Sequence, residues 1–197
     1  MSEQKPTKNI LLVGVGGQGV LLVSTIIAQA AIELGFDVKT NEVHGMAQRG
    51  GSVLAQVRYG KEVFSPLVWE GTVDLLISLE KAEALRYAHY LKKDALAVVS
   101  NQTIIPVTVS SGKAEYPSDL DQRLSKAFPR LVLIDSLAIA QQLGNAKAAN
   151  IVTLGAAAKE LPCLADGWNR AIQTCIPEKH RQLNTAAFAA GGAFKNE

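Results

Sequence analysis

A glycine-rich run between an apolar strand and an apolar helix limits the fold classes that this chain can adopt. Residues 9–14 read NILLVG, the kind of continuous apolar run that is typical of a strand buried on both faces of a parallel sheet. Gly14-Val15-Gly16-Gly17-Gln18-Gly19 matches G-x-G-x-x-G, and residues 18–35 predict a helix that ends at Gly35. A strand, a glycine turn and a helix in this order predict the opening of an α/β domain.

The rest of the chain continues the alternation of strands and helices. Further strands are expected at 36–43, 52–60, 62–68, 73–80, 95–100 and 130–136, with a hairpin around Tyr59-Gly60-Lys61 and an extended segment at 102–109. Helices are expected at 81–91, 118–128 (N-capped by Ser118), 137–144, 150–161 (with Asn150 as a candidate cap), 164–175 and 178–190, and the Ala-rich tail is expected to fray. This pattern predicts an α/β, Rossmann-like fold. Its sheet should be mostly parallel, with one or two antiparallel strands and a helical C-terminal third.

The length, charge and cysteine content of the chain argue against several classes of function. The 197 residues suit one domain, 1–197, with its core at about 9–190; they are 48% apolar and carry a formal charge of +2. The basic residues are scattered, which argues against nucleic acid as a partner. No apolar run is long enough to span a membrane and the N-terminus has no signal-like stretch, so a cytoplasmic location is expected. Cys163 and Cys175 alone cannot supply an iron–sulfur cluster or a structural zinc site, and no metal site is expected.

The glycine loop favours anion binding over a merely tight turn. Gly14 permits a sharp turn, Gly16 lets the backbone approach a phosphate, and Gly19 lets the helix pack against the strand. The helix N-terminus adds free N–H groups and a partial positive charge. The motif does not say which anion is bound.

An NAD site needs, in addition, an acidic residue at the end of the second strand. Asp37 comes too early, at the start of that strand, whereas Glu42 lies at its end. NAD therefore remains open, although the chain enters residues 44–52 instead of a helical crossover and leaves little room for a substrate domain.

Residues 44–52 read HGMAQRGGS and follow the second strand directly. His44 can transfer protons near neutral pH, Arg49 has a planar fork suited to carboxylate or phosphate, and Gln48 adds a donor and an acceptor. Because ligands of open α/β sheets bind at the carboxyl ends of strands, this segment and the glycine loop are expected to face one crevice. A loop held by structural hydrogen bonds of His44 and Arg49 is the alternative. No nucleophile–base pair or carboxylate pair is evident, so an autonomous active site is not expected.

The pairing of GVGGQGV with EVHGMAQRGGSV resembles the gamma-type subunits of 2-oxoacid:ferredoxin oxidoreductases, and especially the beta subunits of indolepyruvate:ferredoxin oxidoreductases. The likeness includes DLLISLEKAEALR and NIVTLGAAAKELP and runs from Asn9 to about Phe194. The glycine loop is weakly specific by itself, whereas HGMAQRGGS at this distance from it is highly specific.

The resemblance implies a division of labour. The large catalytic subunit of such complexes carries thiamine diphosphate and iron–sulfur clusters, decarboxylates a 2-oxoacid such as an aryl pyruvate, and passes electrons to ferredoxin, while coenzyme A takes the acyl group. The gamma-type domain has neither cluster nor thiamine; it packs against the catalytic subunit and in relatives helps hold coenzyme A.

Carried over residue by residue, the resemblance implies two sets of positions. The phosphate-facing set is Gly14, Gly16, Gly17, Gln18 and Gly19, with Arg49 as an anion contact. The set that lines the crevice or meets the partner subunit is Glu42, His44, Gln48, Gly50, Gly51 and Ser52. Two other functions stay open: a free-standing NAD(P)-binding oxidoreductase, and a non-enzymatic nucleotide-binding regulatory module. A homodimer of the isolated chain is also compatible with its apolar first helix and Ala-rich C-terminus.

Overall fold

The computed structural model of the protein describes residues 7–45, 50–105, 109 and 116–195. Within these residues, six strands form one mixed sheet in the order β2-β3-β1-β4-β5-β6. The strands are β1 (Lys8–Val15), β2 (Asp37–His44), β3 (Ser52–Gly60), β4 (Val73–Ser78), β5 (Leu91–Ser100) and β6 (Arg130–Ile134). Strand β3 is antiparallel to both of its neighbours, and the pairs β1–β4, β4–β5 and β5–β6 are parallel. The predicted α/β class with a mostly parallel sheet is confirmed.

Helices cover both faces of the sheet. The described helices are α1 (Val20–Glu33), α2 (Lys81–Arg86), α3 (Leu120–Ala127), α4 (Ser136–Gln142), α5 (Ala149–Ala158), α6 (Trp168–Cys175) and α7 (Glu178–Ala193), with 3-10 helices at Ala88–Tyr90, Ala146–Ala148 and Pro162–Gly167. Helices α1 and α4 to α7 pack on one face, and α2 and α3 pack on the other. The helical C-terminal third is therefore confirmed. No helix within the described ranges has the length and apolar content needed to cross a membrane.

Strand β1 is buried on both faces, as its apolar run predicts. Ile10 and Leu12 belong to the core under α1, whereas Leu11 and Val13 belong to the core under α2. The predicted stop of α1 is also confirmed: Gly35 has φ 78°, and its N–H and that of the next residue bond back to carbonyls of the last helical turn.

The predicted strand at 62–68 and its hairpin with 52–60 are wrong. Both edges of β3 are already paired, one with β1 and the other with β2, so a following strand has no place beside it. Side chains satisfy backbone amides of the 62–68 segment instead: Val63 N–H donates to Asp37 (2.8 Å), and Val68 N–H donates to Gln56 (2.9 Å). The actual hairpin joins β2 to β3 across residues 45–51.

Two predicted helix caps are also wrong. The N-cap residue of α3 is Asp119 rather than Ser118, and the Asp119 carboxylate pairs with Arg123 at 2.9 Å. Asn150 lies inside the first turn of α5, after the N-cap residue Ala148.

The helix predicted at 81–91 is shorter than expected: it ends at Arg86 and is followed by a 3-10 helix. The predicted extended segment 102–109 includes residues 106–108, which lie outside the described residues.

The C-terminal helix does not fray at its Ala- and Gly-rich end. Helix α7 continues to Ala193 because it packs closely against α5. A Cβ added at Gly191 would lie 1.9 Å from the Val152 carbonyl oxygen, and one added at Gly155 would lie 2.1 Å from the Phe188 carbonyl oxygen. Glycine at these positions allows the two helix backbones to touch.

Candidate anion-binding site

A cavity of about 500 Å³ lies at the carboxyl ends of the parallel strands. Its lining residues are Gly17, Gln18, Gly19, Leu79, Ser100, Gln102, Ser136, Ala146, Lys147, Ala149, Asn150 and Thr153. This edge is where open α/β sheets bind ligands. The cavity is bounded by the glycine loop on one side and by the start of α5 on the other.

The glycines of the loop have different structural roles. Gly17 and Gly19 have φ values of 101° and 82°, which strongly favour glycine. Gly14 lies buried within β1, and a Cβ there would come within 2.9 Å of Val20 on α1. A Cβ at Gly19 would come within 2.4 Å of the Asn150 amide nitrogen. Thus Gly14 permits the contact between strand and helix that was predicted for Gly19, and Gly19 permits a contact with α5.

Some backbone amides of the loop are already used within the protein. Gly16 N–H donates to the Gly51 carbonyl at 2.8 Å, and Gln18 N–H donates to the Val15 carbonyl at 3.1 Å. The amides of the first turn of α1 have no intrahelical acceptor and point out of its N-terminus. An anion at the glycine loop would therefore meet this helix end rather than the Gly16 amide.

The side chain of Gln18 holds the loop to the sheet. Its Oε1 accepts from Val15 N–H at 2.8 Å, while its Nε2 donates to the Leu79 carbonyl at 2.6 Å and to Gln102 Oε1 at 2.8 Å. Both donor hydrogens are used by these contacts. The Gln18 side chain thus has a structural task at a position that was predicted to face phosphate.

The opposite wall of the cavity comes from α5 and the 3-10 helix before it. Asn150 Nδ2 approaches the Gly19 carbonyl at 3.4 Å, which brings the N-terminus of α5 beside that of α1. Among the described residues that line the cavity, Lys147 carries a positive charge, and its side chain is exposed. Two helix N-termini and a lysine give this cavity a positive potential suited to an anion. Lys147 and Asn150 were not predicted as site residues, because nothing local in the sequence relates them to a loop more than a hundred residues earlier.

Two buried hydroxyls form the floor of the cavity. Ser100 is the last residue of β5, Ser136 is the first residue of α4 after β6, and their Oγ atoms are 2.5 Å apart. Only one of the two hydroxyl hydrogens can lie between the oxygens. The other hydrogen can be donated to a ligand in the cavity.

The segment after β2 touches the glycine loop through backbone. The Gly51 carbonyl accepts from Gly16 N–H, and Gly50 N–H donates to the Gly16 carbonyl at 3.4 Å. Ser52 faces away from the cavity: its hydroxyl donates to the buried carboxylate of Glu83 on α2 and lies 3.3 Å from the Tyr87 hydroxyl. Gly50 and Gly51 therefore contact the glycine loop, whereas Ser52 contacts α2, and none of the three is among the residues that line the cavity.

Glu42 and His44 lie on the exposed edge strand β2, with β3 inserted between them and β1. Two strand spacings put β2 roughly 10 Å from β1. Glu42 Oε1 lies 3.4 Å from the Ser24 hydroxyl on α1, and neither Glu42 nor His44 lines the cavity. This geometry does not support the ribose contact that an NAD site requires. Gln48 and Arg49 lie outside the described residues.

The buried carboxylate of Glu80 accepts three hydrogen bonds from nearby residues. Glu80, 1% exposed, accepts hydrogen bonds from Glu83 N–H (2.9 Å), Ile104 N–H (3.3 Å) and the Tyr116 hydroxyl (2.7 Å). Burial and the hydrogen bond to Glu80 raise the pKa of the Tyr116 phenol well above its usual range. These contacts connect Ile104 and Tyr116 to Glu80, the residue after Leu79 of the cavity wall.

The fold and the site define an α/β domain whose glycine loop borders a cavity at the carboxyl ends of the parallel strands. The chain matches the family model described as pyruvate ferredoxin/flavodoxin oxidoreductase over residues 9–194, and it belongs to that family. The resemblance stated from the sequence is thereby confirmed.

Several named relatives are subunits of oxidoreductases. The chain is 43% identical to indolepyruvate oxidoreductase subunit IorB of Archaeoglobus fulgidus, over 93% of this chain and 92% of the relative. It is 38% identical to the subunit of the same name from Pyrococcus horikoshii, over 93% of each. It is also 30% identical to ketoisovalerate oxidoreductase subunit VorA of Methanothermobacter thermautotrophicus, over 76% of this chain but only 28% of the relative.

Solved structures share the fold. The gamma subunit of a keto/oxoacid ferredoxin oxidoreductase from Geobacter sulfurreducens superposes with a TM-score of 0.68 at 24% identity, over 93% of this chain and 95% of that one. A 2-oxoglutarate:ferredoxin oxidoreductase from Magnetococcus marinus, solved with 2-oxoglutarate, coenzyme A and succinyl-CoA, gives a TM-score of 0.71 at 19% identity. That match covers 98% of this chain and 32% of that one.

Proposed function

We propose that this chain is the non-cluster subunit of a 2-oxoacid:ferredoxin oxidoreductase that oxidises indolepyruvate or a related aryl pyruvate in the cytoplasm. The observation that carries the proposal is 43% identity to an indolepyruvate oxidoreductase subunit along nearly the full length of both chains. The whole chain, 1–197, would act as one gamma-type domain. The thiamine diphosphate and the iron–sulfur clusters would belong to a large catalytic subunit, which passes electrons to ferredoxin.

The second part of the proposal is that the cavity helps bind coenzyme A, which accepts the acyl group. Coenzyme A carries phosphate groups, and the cavity is bordered by two helix N-termini and Lys147. Support also comes from the Magnetococcus marinus oxidoreductase, which has this fold in part of its chain and was solved with coenzyme A bound.

Each part of the cavity would have its own task. The amides at the start of α1, reached through Gly17 and Gly19, would bind phosphate oxygens. Lys147 and Arg49 would neutralise the charge, and the Ser100–Ser136 pair would donate one hydrogen bond. Gly14, Gly16 and Gln18 would hold the loop in shape. His44, Gln48, Gly50 and Gly51 would line the crevice or a contact with the catalytic subunit at the end of β3 that carries Ser52.

The test is a coenzyme A titration of the assembled complex. The chain is purified under native conditions with its partner, and the complex is examined for a second, larger chain, bound thiamine diphosphate and broad visible absorbance. Lys147→Ala and Arg49→Ala are each expected to raise the KM for coenzyme A about tenfold, because each removes a charged hydrogen bond. Lys126→Ala, which changes an exposed lysine on α3, is the matched control and should leave that KM unchanged.

The outcomes separate the candidate functions. A complex that forms while both variants keep the wild-type KM would contradict the coenzyme A assignment but keep the subunit assignment. A chain that purifies alone and binds NAD(H) would favour the free-standing oxidoreductase, with Glu42 as the next residue to change. A lone chain that binds nucleotide without turnover would favour the regulatory module.

A further inference from the structure

The segment between β3 and β4 exposes three large apolar side chains, which together are called the ridge. Phe64, Leu67 and Trp69 are 86%, 54% and 78% exposed, and all three belong to the segment between β3 and β4. Leu67 and Trp69 also border a shallow cavity of about 530 Å³ that extends to Tyr90. Large apolar side chains that are exposed within one short segment indicate a candidate interaction surface.

The ridge is held in place by hydrogen bonds to β3. Arg58 donates from Nη1 to the carbonyls of Ser65 (2.7 Å) and Leu67 (3.1 Å), and Gln56 accepts from Val68 N–H at 2.9 Å. The Thr72 hydroxyl and amide then close the turn on the Trp69 carbonyl at 2.7 and 3.2 Å. A surface that is already ordered loses little conformational entropy when a partner binds, which favours specific docking.

The size of the ridge argues for a larger interface built around it. Aromatic side chains bury roughly 150–250 Å² each, so the ridge covers about 500 Å². A stable protein interface needs roughly 800 Å² from each partner. Two copies that meet through the ridge alone would therefore form a weak dimer, whereas the ridge suits the apolar centre of a broader contact.

The relatives indicate what that broader contact is. The part of ketoisovalerate oxidoreductase subunit VorA that matches this chain is 28% of its length, and the matching part of the Magnetococcus marinus chain is 32%. In those proteins this domain is joined covalently to a much larger remainder. Under the proposed function the counterpart of that remainder is a separate large subunit, so a surface of this domain would have to bind it without a covalent link.

We propose that the ridge of Phe64, Leu67 and Trp69 is a docking surface for the large catalytic subunit. The inference rests on the proposed function, because it needs such a subunit to exist. The partner would present an apolar pocket for Trp69, bordered by basic groups that meet the exposed carboxylates of Glu62 and Glu70.

Co-expression with the catalytic subunit and native purification test the proposal. The double variant Phe64→Ser/Trp69→Ser should lower the yield of complex at least tenfold relative to wild type. The melting temperature of the isolated chain should stay within about 2 °C, since both side chains are exposed. The matched control is Ile32→Ser/Leu143→Ser, which changes apolar side chains that are 54% and 36% exposed on α1 and beside α4. The control should assemble like wild type.

Three outcomes would overturn the proposal. Equal complex yields for wild type and the ridge variant would exclude the ridge and leave the proposed function intact. A wild-type chain that fails to assemble with the catalytic subunit would overturn both. A wild-type chain that is dimeric by light scattering, and that becomes monomeric in the ridge variant while still binding the catalytic subunit, would assign the ridge to a second copy of this chain.

Discussion

Gln18 is the residue whose structural role differs most from the one its position in the motif suggests. Its amide group connects the end of β1, the end of β4 and Gln102 through three hydrogen bonds. Gln18→Met keeps the length of the side chain and removes every one of these bonds. We expect the free energy of unfolding to fall by about 2 kcal/mol, because buried backbone groups lose their partners. Urea denaturation measures this loss.

Gln29 provides the control for Gln18. It lies on α1, the helix that follows Gln18, but its amide bonds to Glu33, one turn away on the same helix, at 2.8 Å. Gln29→Met should change the free energy of unfolding by less than about 0.5 kcal/mol. If Gln18→Met is equally mild and instead raises the KM for coenzyme A, the original interpretation of Gln18 as a ligand contact would be the right one.

The residues of the site differ in how far sequence could identify them. The glycine loop was predicted because its strand, turn and helix are consecutive in the chain. Lys147 and Asn150 could not be predicted, since only tertiary packing brings α5 against Gly19. The distance of Glu42 and His44 from β1 could not be predicted either: the local pattern predicts β2, but it does not reveal that β3 inserts between β2 and β1.

Helix α7 is stabilised by its contact with α5, although its own composition predicts a weak helix. The sequence of α7 ends in Ala and Gly, which alone predict a weak helix. Packing reverses this expectation because Gly191 and Gly155 let the two backbones meet. The same limit explains the false strand at 62–68: its local pattern was extended and apolar, but both edges of β3 were already occupied.

Adjacent glycines on α7 give a sharp test of this packing. Gly191→Ala places a methyl group 1.9 Å from the Val152 carbonyl oxygen, so the helices must separate, and we expect a loss of about 3 kcal/mol. Gly192→Ala places its methyl group 3.8 Å from the Gly155 carbonyl oxygen, an ordinary contact. Because alanine favours helix, Gly192→Ala should stabilise the protein by up to about 1 kcal/mol. Thermal unfolding of the two variants should show opposite shifts, and equal shifts would exclude close backbone packing.

At the scale of the whole molecule, the sheet and the C-terminal helical layer are joined by a buried phenol. Tyr59 on β3 is 2% exposed, stacks edge-on against Phe36 with ring centroids 5.3 Å apart, and places its hydroxyl 3.2 Å from Cys163 Sγ. Cys163 lies in the 3-10 helix Pro162–Gly167, which packs beneath α1. Desolvation, followed by the contact with Cys163, raises the pKa of the Tyr59 phenol far above its usual range.

This raised pKa predicts how the stability of the protein depends on alkaline pH. The unfolded phenol loses its proton near pH 10, whereas the folded phenol keeps it, so the unfolded state binds fewer protons above that pH. Stability from Tyr59 is therefore fully present below about pH 10 and falls by about 1.4 kcal/mol for each further pH unit. Tyr59→Phe should cost about 1 kcal/mol at pH 7 but reduce this alkaline slope by one proton. Urea denaturation between pH 8 and 11 measures both effects.

Tyr116→Phe should remove a similar contribution, since the pKa of that phenol is also raised, and the double variant should have the shallowest slope. An unchanged slope in Tyr59→Phe would mean that the pKa of the folded phenol is not raised, and would contradict its burial between the sheet and the helical layer.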